Sequence, residues 1–539
     1  MKQLVRSLIL VVALAATSRA LIAAKAIDLD AATVADINAA FDAGTLTAEK
    51  LVQLFLARIE AYDRQGPRLH AVIVLNPKAI ETARALDAER KAKGPRSPLH
   101  GIPVILKDNY NTRDLPTTGG SVLLEGSIPP DDAFLVKKLR DAGAIVLAKV
   151  NLSEFASGGA HSSLGGQSLN PHDLTRTPSG SSGGTGVAIA AGYAPLGMGT
   201  DTGGSIRGPS TANGIVGLKP THGLLSRSGI IPLALSFDTG GPMARSVSDI
   251  AAALGVLAGV DPADPATKKA EGRIERDYTK FLKADGLKDA RIGVARDFLG
   301  SDPDVDWVID ATLDVLRKAG ATVVDVRYPK WLLDAKDEFY NAIRRPEFTA
   351  QIAEYLATLG PKYPKTLAQM IERANQFVAT RTDGAGPNPS RWTLFKREAE
   401  SGTIDDYRYT SVRDHGLPLV RAAVEGLFAS QKLDAIVYPT ASRRPGLIAE
   451  TGSVPTSPDA ILRALGMSAT NIANLTGFPD LIVPAGFTGD NLPVGLSFMG
   501  PAFSESKLLA LGYSFEQAAR ARRRPVHTPL RPGESISVP

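Results

Sequence analysis

Apolar and polar positions alternate at two different periods in the first third of the chain. Residues 45–67 carry apolar side chains at helical spacing up to a Gly-Pro pair, which predicts a helix. The β-branched run "GIPVILKDN" (101–109) predicts a short strand ending at Lys107 and Asp108. Residues 133–151 predict a helix, a glycine stop and then a buried strand.

The same order of elements recurs farther along the chain. Residues 291–296 predict a strand, 304–320 a helix and 321–327 another strand. Strand-like runs return at the positions 434–440, 479–486 and 492–500. Alternating strands and helices predict an α/β fold around a largely buried sheet.

The pattern changes between about residues 330 and 431. Helical periodicity dominates there and is broken by "GAGPNPS" (384–390). We interpret this as an inserted or peripheral helical region and hypothesise that it covers a substrate entrance. No linker is long enough to force two independent domains, so we expect one domain over residues 27–539.

The first residues have the features of an export signal. Lys2 and Arg6 precede the apolar run 8–16, which is too short to span a bilayer, and small residues suit cleavage after Ala20 or Ala26. An uncleaved anchor helix is the alternative. We therefore expect a signal peptide over residues 1–26 and a periplasmic or secreted mature protein.

Composition excludes several classes of chemistry. Lys and Arg number 61 against 56 Asp and Glu, a net charge of +5 that is too dispersed to indicate nucleic-acid binding. The absence of cysteine excludes disulfides, thiolate catalysis and Cys-ligated metals. The seven histidines show no metal-ligand spacing. We expect neither a metal nor another cofactor.

Two Ser-Gly clusters are the strongest candidates for a functional site. "TPSGSSGGTG" (177–186) precedes "GMGTDTGGSIRGPS" (197–210), in which Ser205 follows two glycines. Glycine-rich turns leave backbone N–H groups free, and four consecutive amides up to Ser205 could converge on one carbonyl oxygen. The alternative interpretation is a turn with a helix-capping serine.

Two other serine motifs are weaker. "GSSGG" also fits the G-x-S-x-G nucleophile elbow with Ser182 at its centre, but the preceding residues predict no strand, and only His415 and His527 lie late enough to serve as its base. Ser504 and Lys507 match S-x-x-K without its companion motifs, which favours a surface role.

No histidine lies near either Ser-Gly cluster, so a neutral lysine is the candidate base. Burial can depress a lysine pKa from its ordinary value of about 10.4. Lys107 ends a predicted buried strand, and Lys149 and Lys219 fit that description in part. The residues alone do not choose among the three.

Residues 180–223 strongly resemble the amidase signature family. The resemblance covers most of the chain and weakens only between about residues 260 and 430. It includes further segments at residues 101–121, 148–156, 241–251, 434–440, 476–486 and 492–500. It implies the amidase-signature fold, with a large mixed, mostly parallel sheet flanked by helices on both sides.

The resemblance also implies a lysine-driven serine mechanism. Ser205 would be the nucleophile that accepts the acyl group. Ser181 would bridge it to the base, held by a cis peptide bond after Gly180. Lys107 would be the base, so that protons pass from Ser205 through Ser181 to the lysine.

Further roles follow from the same resemblance. The amides of Thr202, Gly203, Gly204 and Ser205 would form the oxyanion hole. Asp201, Arg207 and Ser182 would support the loop. Three residues could lie near the pocket or serve as caps: Asn151, Ser153 and Glu154.

The implied activity is hydrolysis of a carboxylic or peptide C-terminal amide. Exported peptide amidases resemble this chain most, although "DTGGSIRGP" is the commoner family version of a motif in which we expect peptide amidases to differ. Broad aryl or aliphatic acylamidase or esterase activity is the alternative, and an exported solute-binding protein is an alternative of another class. The export signal argues against the family's amidotransferase members. We expect a monomer or homodimer that binds a small-molecule or peptide amide, with no nucleic acid and no membrane after signal cleavage.

Overall fold

A computed structural model describes residues 25–380, 388–448 and 469–539. Its strands are β1 (Lys25–Asp28), β2 (Val72–Leu75), β3 (Pro103–Lys107), β4 (Ile145–Val150), β5 (His161–Ser162), β6 (Gly166–Gln167), β7 (Leu196–Asp201), β8 (Val216–Lys219), β9 (Thr239–Ala244), β10 (Arg291–Ala295), β11 (Thr322–Val326), β12 (Ala435–Pro439), β13 (Asp480–Phe487), β14 (Pro493–Met499) and β15 (Ser535–Val538).

The α-helices lie between these strands. They are α1 (Val34–Asp42), α2 (Ala48–Ile59), α3 (Ala79–Lys93), α4 (Phe134–Asp141), α5 (Gly183–Ala190), α6 (Arg207–Ala212), α7 (Val247–Leu257), α8 (Pro303–Lys318), α9 (Lys330–Ala357), α10 (Leu367–Thr380), α11 (Pro389–Ala399), α12 (Tyr407–Ser411), α13 (Leu417–Gln431), α14 (Thr470–Thr476) and α15 (Glu505–Ala519). The helix predicted over residues 45–67 begins after Thr47, whose hydroxyl accepts the Lys50 N–H, and continues into a wider turn over Glu60–Arg64.

Eleven strands form one mixed sheet, in the order β11-β10-β12-β14-β13-β8-β9-β7-β3-β4-β2. This confirms the predicted α/β class and its large mixed sheet. The parallel pairs are β3 with β4 and β7, and β10 with β11 and β12. The remaining neighbouring strands pair antiparallel, and β13 and β14 form a hairpin. The sheet therefore has more antiparallel strand pairs than the alternation of strands and helices predicts.

The central strands are buried on both faces. Every residue of β3, β4 and β7 is buried, whereas a strand with one solvated face would alternate between buried and exposed positions. Apolar residues of these strands belong to the same core cluster as residues of α2, α4, α5 and α7. Helices therefore pack against these strands, and the strand residues, including Lys107 and Lys149, are shielded from water.

The helical region of the sequence consists of α9 to α13. Stacked rings of Phe348 in α9 and Phe395 in α11 lie 5.9 Å apart, and Phe155 packs edge-on against Phe395 at 5.5 Å. These contacts fix the region to the loop after β4. Residues 384–387 of the predicted break lie outside the described residues.

The predicted signal peptide lies almost entirely outside the described residues, which begin at Lys25. Ala26 is inside β1, which pairs antiparallel with β15. Among the residues that the structure describes, no helix combines the length and apolar character needed to cross a membrane.

Candidate active site

Strands β3 and β7 bring a buried lysine next to the first Ser-Gly cluster. Lys107 is the last residue of β3 and is fully buried. Its Nζ lies 2.7 Å from Ser181 Oγ and 2.7 Å from Thr200 Oγ1, and 3.5 Å from the Thr200 carbonyl. No carboxylate is within hydrogen-bonding distance of this amine among the described residues.

Burial lowers the pKa of Lys107 to about 7, although the charges of Asp201 and Asp238 act in the opposite direction. A neutral amine has two N–H groups and one lone pair. Both N–H groups can be directed at the two Thr200 oxygens, which leaves the lone pair facing the Ser181 hydroxyl. The geometry therefore suits a neutral base near neutral pH.

Ser181 and Ser182 are held by backbone contacts to both neighbouring loops. The peptide bond between Gly180 and Ser181 is cis, as the resemblance implies. The Ser181 carbonyl accepts the Ser153 N–H at 2.9 Å, and the Ser182 N–H donates to the Ser205 carbonyl at 3.1 Å. The Ser182 hydroxyl donates to the Thr200 carbonyl at 3.2 Å. Ser182 thus ties the two Ser-Gly clusters together.

The alternative of a nucleophile elbow at Ser182 is excluded. Residues 168–181 form no strand, so the strand–turn–helix arrangement is absent from this part of the described chain. His415, one of its two candidate bases, is exposed in the helical region.

Ser205 lies partly exposed in the loop between β7 and α6. Its hydroxyl makes no hydrogen bond within the described residues, including none to Ser181. The N–H groups of Thr202, Gly203 and Ser205 also have no acceptor there. A serine hydroxyl with free backbone donors beside it is the arrangement required of a nucleophile and an oxyanion hole.

Gly204 differs from the prediction for the oxyanion hole. Its N–H donates to Asp201 Oδ1 at 2.9 Å, so this amide is already occupied in stabilising the turn. The three other predicted donors remain available.

A buried ionic network holds the Ser205 loop from below. Arg207 donates two hydrogen bonds to Asp201, and its Nη1 lies 2.9 Å from Asp480 Oδ2. Burial would raise the pKa of Asp201, but the neighbouring Arg207 guanidinium outweighs burial and lowers that pKa well below its ordinary value. Further partners of the network are the Thr470 carbonyl, Asn474 and the Ile206 N–H.

The two glycines before Ser205 accommodate close neighbours. A Cβ at Gly203 would lie 2.7 Å from Tyr340 Oη of α9. Gly204 has φ +126°, and a Cβ there would lie 2.6 Å from Thr470 Oγ1. Tyr340 and Thr470 thus lie against the loop. Sequence reasoning missed both residues because neither belongs to a recognisable motif.

A cavity adjoins the same loop. Its polar side includes Asn109, Thr200 and Thr202, and much of its remaining wall is aliphatic. The aliphatic residues are Ile230, Ile231, Leu233 and Leu235. Its free volume is about 10 Å³, which is room for about one water molecule.

Asp238 also lines the cavity and was not predicted, although it lies only three residues before the 241–251 segment. Its Oδ1 accepts a 2.5 Å hydrogen bond from the Thr202 hydroxyl, and its Oδ2 accepts the N–H groups of Leu233 and Ala234. Burial raises the pKa of Asp238 to about 6. This carboxylate fixes one end of the predicted oxyanion loop.

The two other candidate lysines are bound differently. Lys149 Nζ lies 3.1 Å from Asp108 Oδ1 and donates to the carbonyls of Tyr110 and Pro116. Lys219 Nζ donates to the carbonyls of Pro220 and Phe478. Neither amine forms a hydrogen bond with a serine within the described residues.

The residues after β4 serve the local structure. Asn151 crosslinks backbone and hydroxyl groups around His70 and Gly166, and Glu154 accepts the N–H of Asn388. Two of the three residues contact the first Ser-Gly cluster: the Ser153 N–H donates to the Ser181 carbonyl, and the Asn151 carbonyl accepts the Gly184 N–H at 3.0 Å. Lys507 of the S-x-x-K match is half exposed and paired with Asp434, which confirms its surface role.

Comparisons with known proteins match most of the chain. A family model described as Amidase matches residues 50–509. A probable amidase of Arabidopsis thaliana is 34% identical over 92% of this chain and 91% of its own length. A glutamyl-tRNA(Gln) amidotransferase component of Thermoanaerobacter pseudethanolicus is also 34% identical, over 92% of this chain and 98% of its own. The solved peptide amidase of Stenotrophomonas maltophilia is 40% identical, with TM-score 0.81 over 92% of this chain and 99% of that one.

Proposed function

We propose that this chain, which belongs to the amidase family and hydrolyses amide C–N bonds, works through a covalent acyl-enzyme on Ser205. One observation carries the proposal. A buried lysine whose pKa is about 7 contacts Ser181, and Ser182 joins that cluster to the loop that presents Ser205. Family membership leaves the alternative of a non-catalytic solute-binding protein without support.

Acylation begins with proton removal from Ser205. Neutral Lys107 takes the proton of the Ser181 hydroxyl, and Ser181 takes the proton of Ser205 as Ser205 Oγ forms a bond to the amide carbon. The hydrogen bond between the two serines is absent from the free structure. Catalytic hydrogen bonds of this kind often form only when substrate is bound.

The oxyanion of the tetrahedral intermediate then accepts hydrogen bonds from the free backbone amides of the loop. We assign this role to the N–H groups of Thr202, Gly203 and Ser205, because Gly204 is engaged by Asp201. Loss of one such donor typically costs about 3–4 kcal/mol of transition-state stabilisation.

Collapse of the intermediate breaks the C–N bond, and the protonated lysine returns its proton through Ser181 to the departing nitrogen. Water then attacks the acyl ester with the same relay as base. The products are a carboxylic acid and either ammonia or an amine, and Ser205 is regenerated.

We propose a C-terminal peptide amide as the substrate class. The support is the 40% identity to the solved peptide amidase, which extends over 92% of this chain. The test is a product panel with peptide amides, anilides and simple aliphatic amides, measured by mass spectrometry. Faster turnover of anilides or aliphatic amides would instead assign a broad acylamidase.

We further propose export, with signal cleavage after Ala20. Cleavage after Ala26 would remove Lys25 and Ala26, which pair with Val538 and Ser537 in the β1–β15 ladder. N-terminal sequencing of the mature protein from a periplasmic fraction tests this, and a first residue at Ile27 would contradict it.

A serine-directed fluorophosphonate tests the mechanism. We expect the wild-type protein to be labelled on Ser205, Ser205→Ala to lose labelling, and the matched control Ser430→Ala, which alters an exposed serine of α13, to retain it. Labelling that persists in Ser205→Ala would refute the assignment of the nucleophile.

A further inference from the structure

A second cavity lies in the helical region, away from the Ser205 loop. It has a volume of about 350 Å³ and is formed by α9, the end of α11, the loop after it and α12. Its wall includes three arginines, one from each helix: Arg345, Arg397 and Arg408. Nothing in the proposed amide hydrolysis uses this cavity.

Arg345 is the unusual member of this group. The side chain is partly buried, and its Nε is fully enclosed without a hydrogen-bond partner within the described residues. Burial lowers the pKa of Arg345, the positive charges of Arg344, Arg397 and Arg408 lower it further, and the charge of Glu398 acts in the opposite direction. A partly buried guanidinium among like charges is stabilised by an anion.

The neighbouring carboxylates are engaged elsewhere. Glu398 is shared by Arg344 at 2.6 Å and Arg391 at 2.8 Å. Glu338 pairs with Arg408 at the surface.

Two more carboxylates, Asp406 and Glu400, belong to the cavity wall. Asp406 accepts the Thr403 N–H at 2.7 Å, and Glu400 is exposed. Neither forms an ion pair with a wall arginine, so Arg345 and Arg397 have no ion pair within the described residues.

The cavity is also preformed. The Tyr409 hydroxyl donates to Glu347 at 2.8 Å, and the Asn341 side chain donates to the Asp337 carbonyl at 2.8 Å, so two parts of its wall are fixed by hydrogen bonds. A site that needs little ordering on binding loses less affinity to entropy.

We propose that this cavity binds a small multivalent oxyanion, either a polycarboxylate or a phosphate. Two guanidinium groups on separate helices, without an ion pair among the described residues, favour a ligand with at least two negative charges. The guanidinium fork matches the oxygens of carboxylate and phosphate equally well. The volume is within the range of small-molecule sites.

Isothermal titration calorimetry of the full protein tests the proposal with citrate and with inorganic phosphate as probes, each at constant ionic strength set by NaCl. We expect saturable binding of at least one probe. We expect Arg345→Gln and Arg397→Gln each to weaken it tenfold or more. The matched control Arg317→Gln, which removes an exposed arginine of α8, should bind as the wild type does.

The stronger probe identifies the ligand chemistry, polycarboxylate if citrate binds more tightly and phosphate if the order is reversed. Circular dichroism and thermal melting without ligand confirm that each variant is folded. Because the two arginines lie on different helices, misfolding of one variant leaves the other as a test. Absence of binding for both probes, or an unchanged dissociation constant in a folded arginine variant, would overturn the proposal.

Discussion

The ends of β3 and β4 place two buried lysines side by side on opposite faces of one sheet. Lys149 is in register with Leu106, so its side chain leaves the sheet on the face opposite to that of Lys107. On one face, Lys149 meets Asp108 and backbone carbonyls. On the other, the partners of Lys107 among the described residues are the oxygens of Ser181 and Thr200.

The difference shows that burial alone does not make a base. Burial lowers the pKa of both lysines, but Asp108 contacts Lys149 and opposes that effect there. Two carboxylates, Asp201 and Asp238, also act on the charge of Lys107, but from a distance. Each accepts hydrogen bonds from other donors. Two neighbouring strands thus carry buried lysines near their ends, one in a structural ion pair and the other as a neutral amine.

Replacement of Lys107 should have the largest effect on activity. We expect Lys107→Met to lower kcat/KM by about 10³-fold or more, since general base catalysis typically contributes about 10²–10⁴-fold and the relay also protonates the leaving nitrogen. The melting temperature should not fall, because a buried amine is replaced by an apolar side chain of similar length. Steady-state kinetics and calorimetry measure the two quantities. Full activity of the variant at neutral pH would end the assignment of Lys107 as base.

Replacement of Lys149 should have the opposite profile. Lys149→Met leaves Asp108 buried without its ion-pair partner, which typically costs about 3–5 kcal/mol of unfolding free energy. We expect turnover per folded molecule to stay within about tenfold of wild type, since Lys149 contacts no serine. Urea unfolding and active-site titration measure these quantities.

A double substitution provides the control for that result. Asp108→Asn in the Lys149→Met background removes the uncompensated charge and should recover part of the lost stability. If Lys149→Met alone abolished turnover in folded protein, the distinction between the two faces would be wrong.

Asp238 offers a smaller change that acts on Lys107 through charge. Asp238→Asn can keep hydrogen bonds to Thr202, Leu233 and Ala234 while removing the negative charge that raises the pKa of Lys107. The pKa of Lys107 should therefore fall by less than about one unit, and activity should persist to a lower pH with kcat/KM changed less than about tenfold. The pH profile of kcat/KM shows the shift, and a shift to higher pH would contradict it.

The sequence predicted the elements of the core because their signals are local. The strand ending at Lys107, the strand containing Lys149 and the helix between them follow from apolar spacing within twenty residues, and the structure has all three. The choice among lysines is not local. Ser181 and Thr200 are 74 and 93 residues from Lys107, so only the fold or a family resemblance reveals which lysine contacts a serine.

Two features of the site were beyond sequence reasoning for the same reason. The Asp201 carboxylate accepts the Gly204 N–H within a turn. The glycines of this turn allow several backbone conformations, so the sequence does not predict which amide is engaged. Tyr340 contacts Gly203 from a helix 28 residues long in which no motif marks one tyrosine as special.

The pH dependence of fluorophosphonate labelling at Ser205 tests the central claim most directly, because labelling needs the nucleophile and its base but no leaving amine. Only neutral Lys107 can accept the proton, so the labelling rate should rise as pH increases, with a midpoint near 7, and level off above it. Lys149→Met should retain this midpoint, and Lys107→Met should lose both the rate and the dependence. A midpoint that survives in Lys107→Met, or that disappears in folded Lys149→Met, would contradict the account.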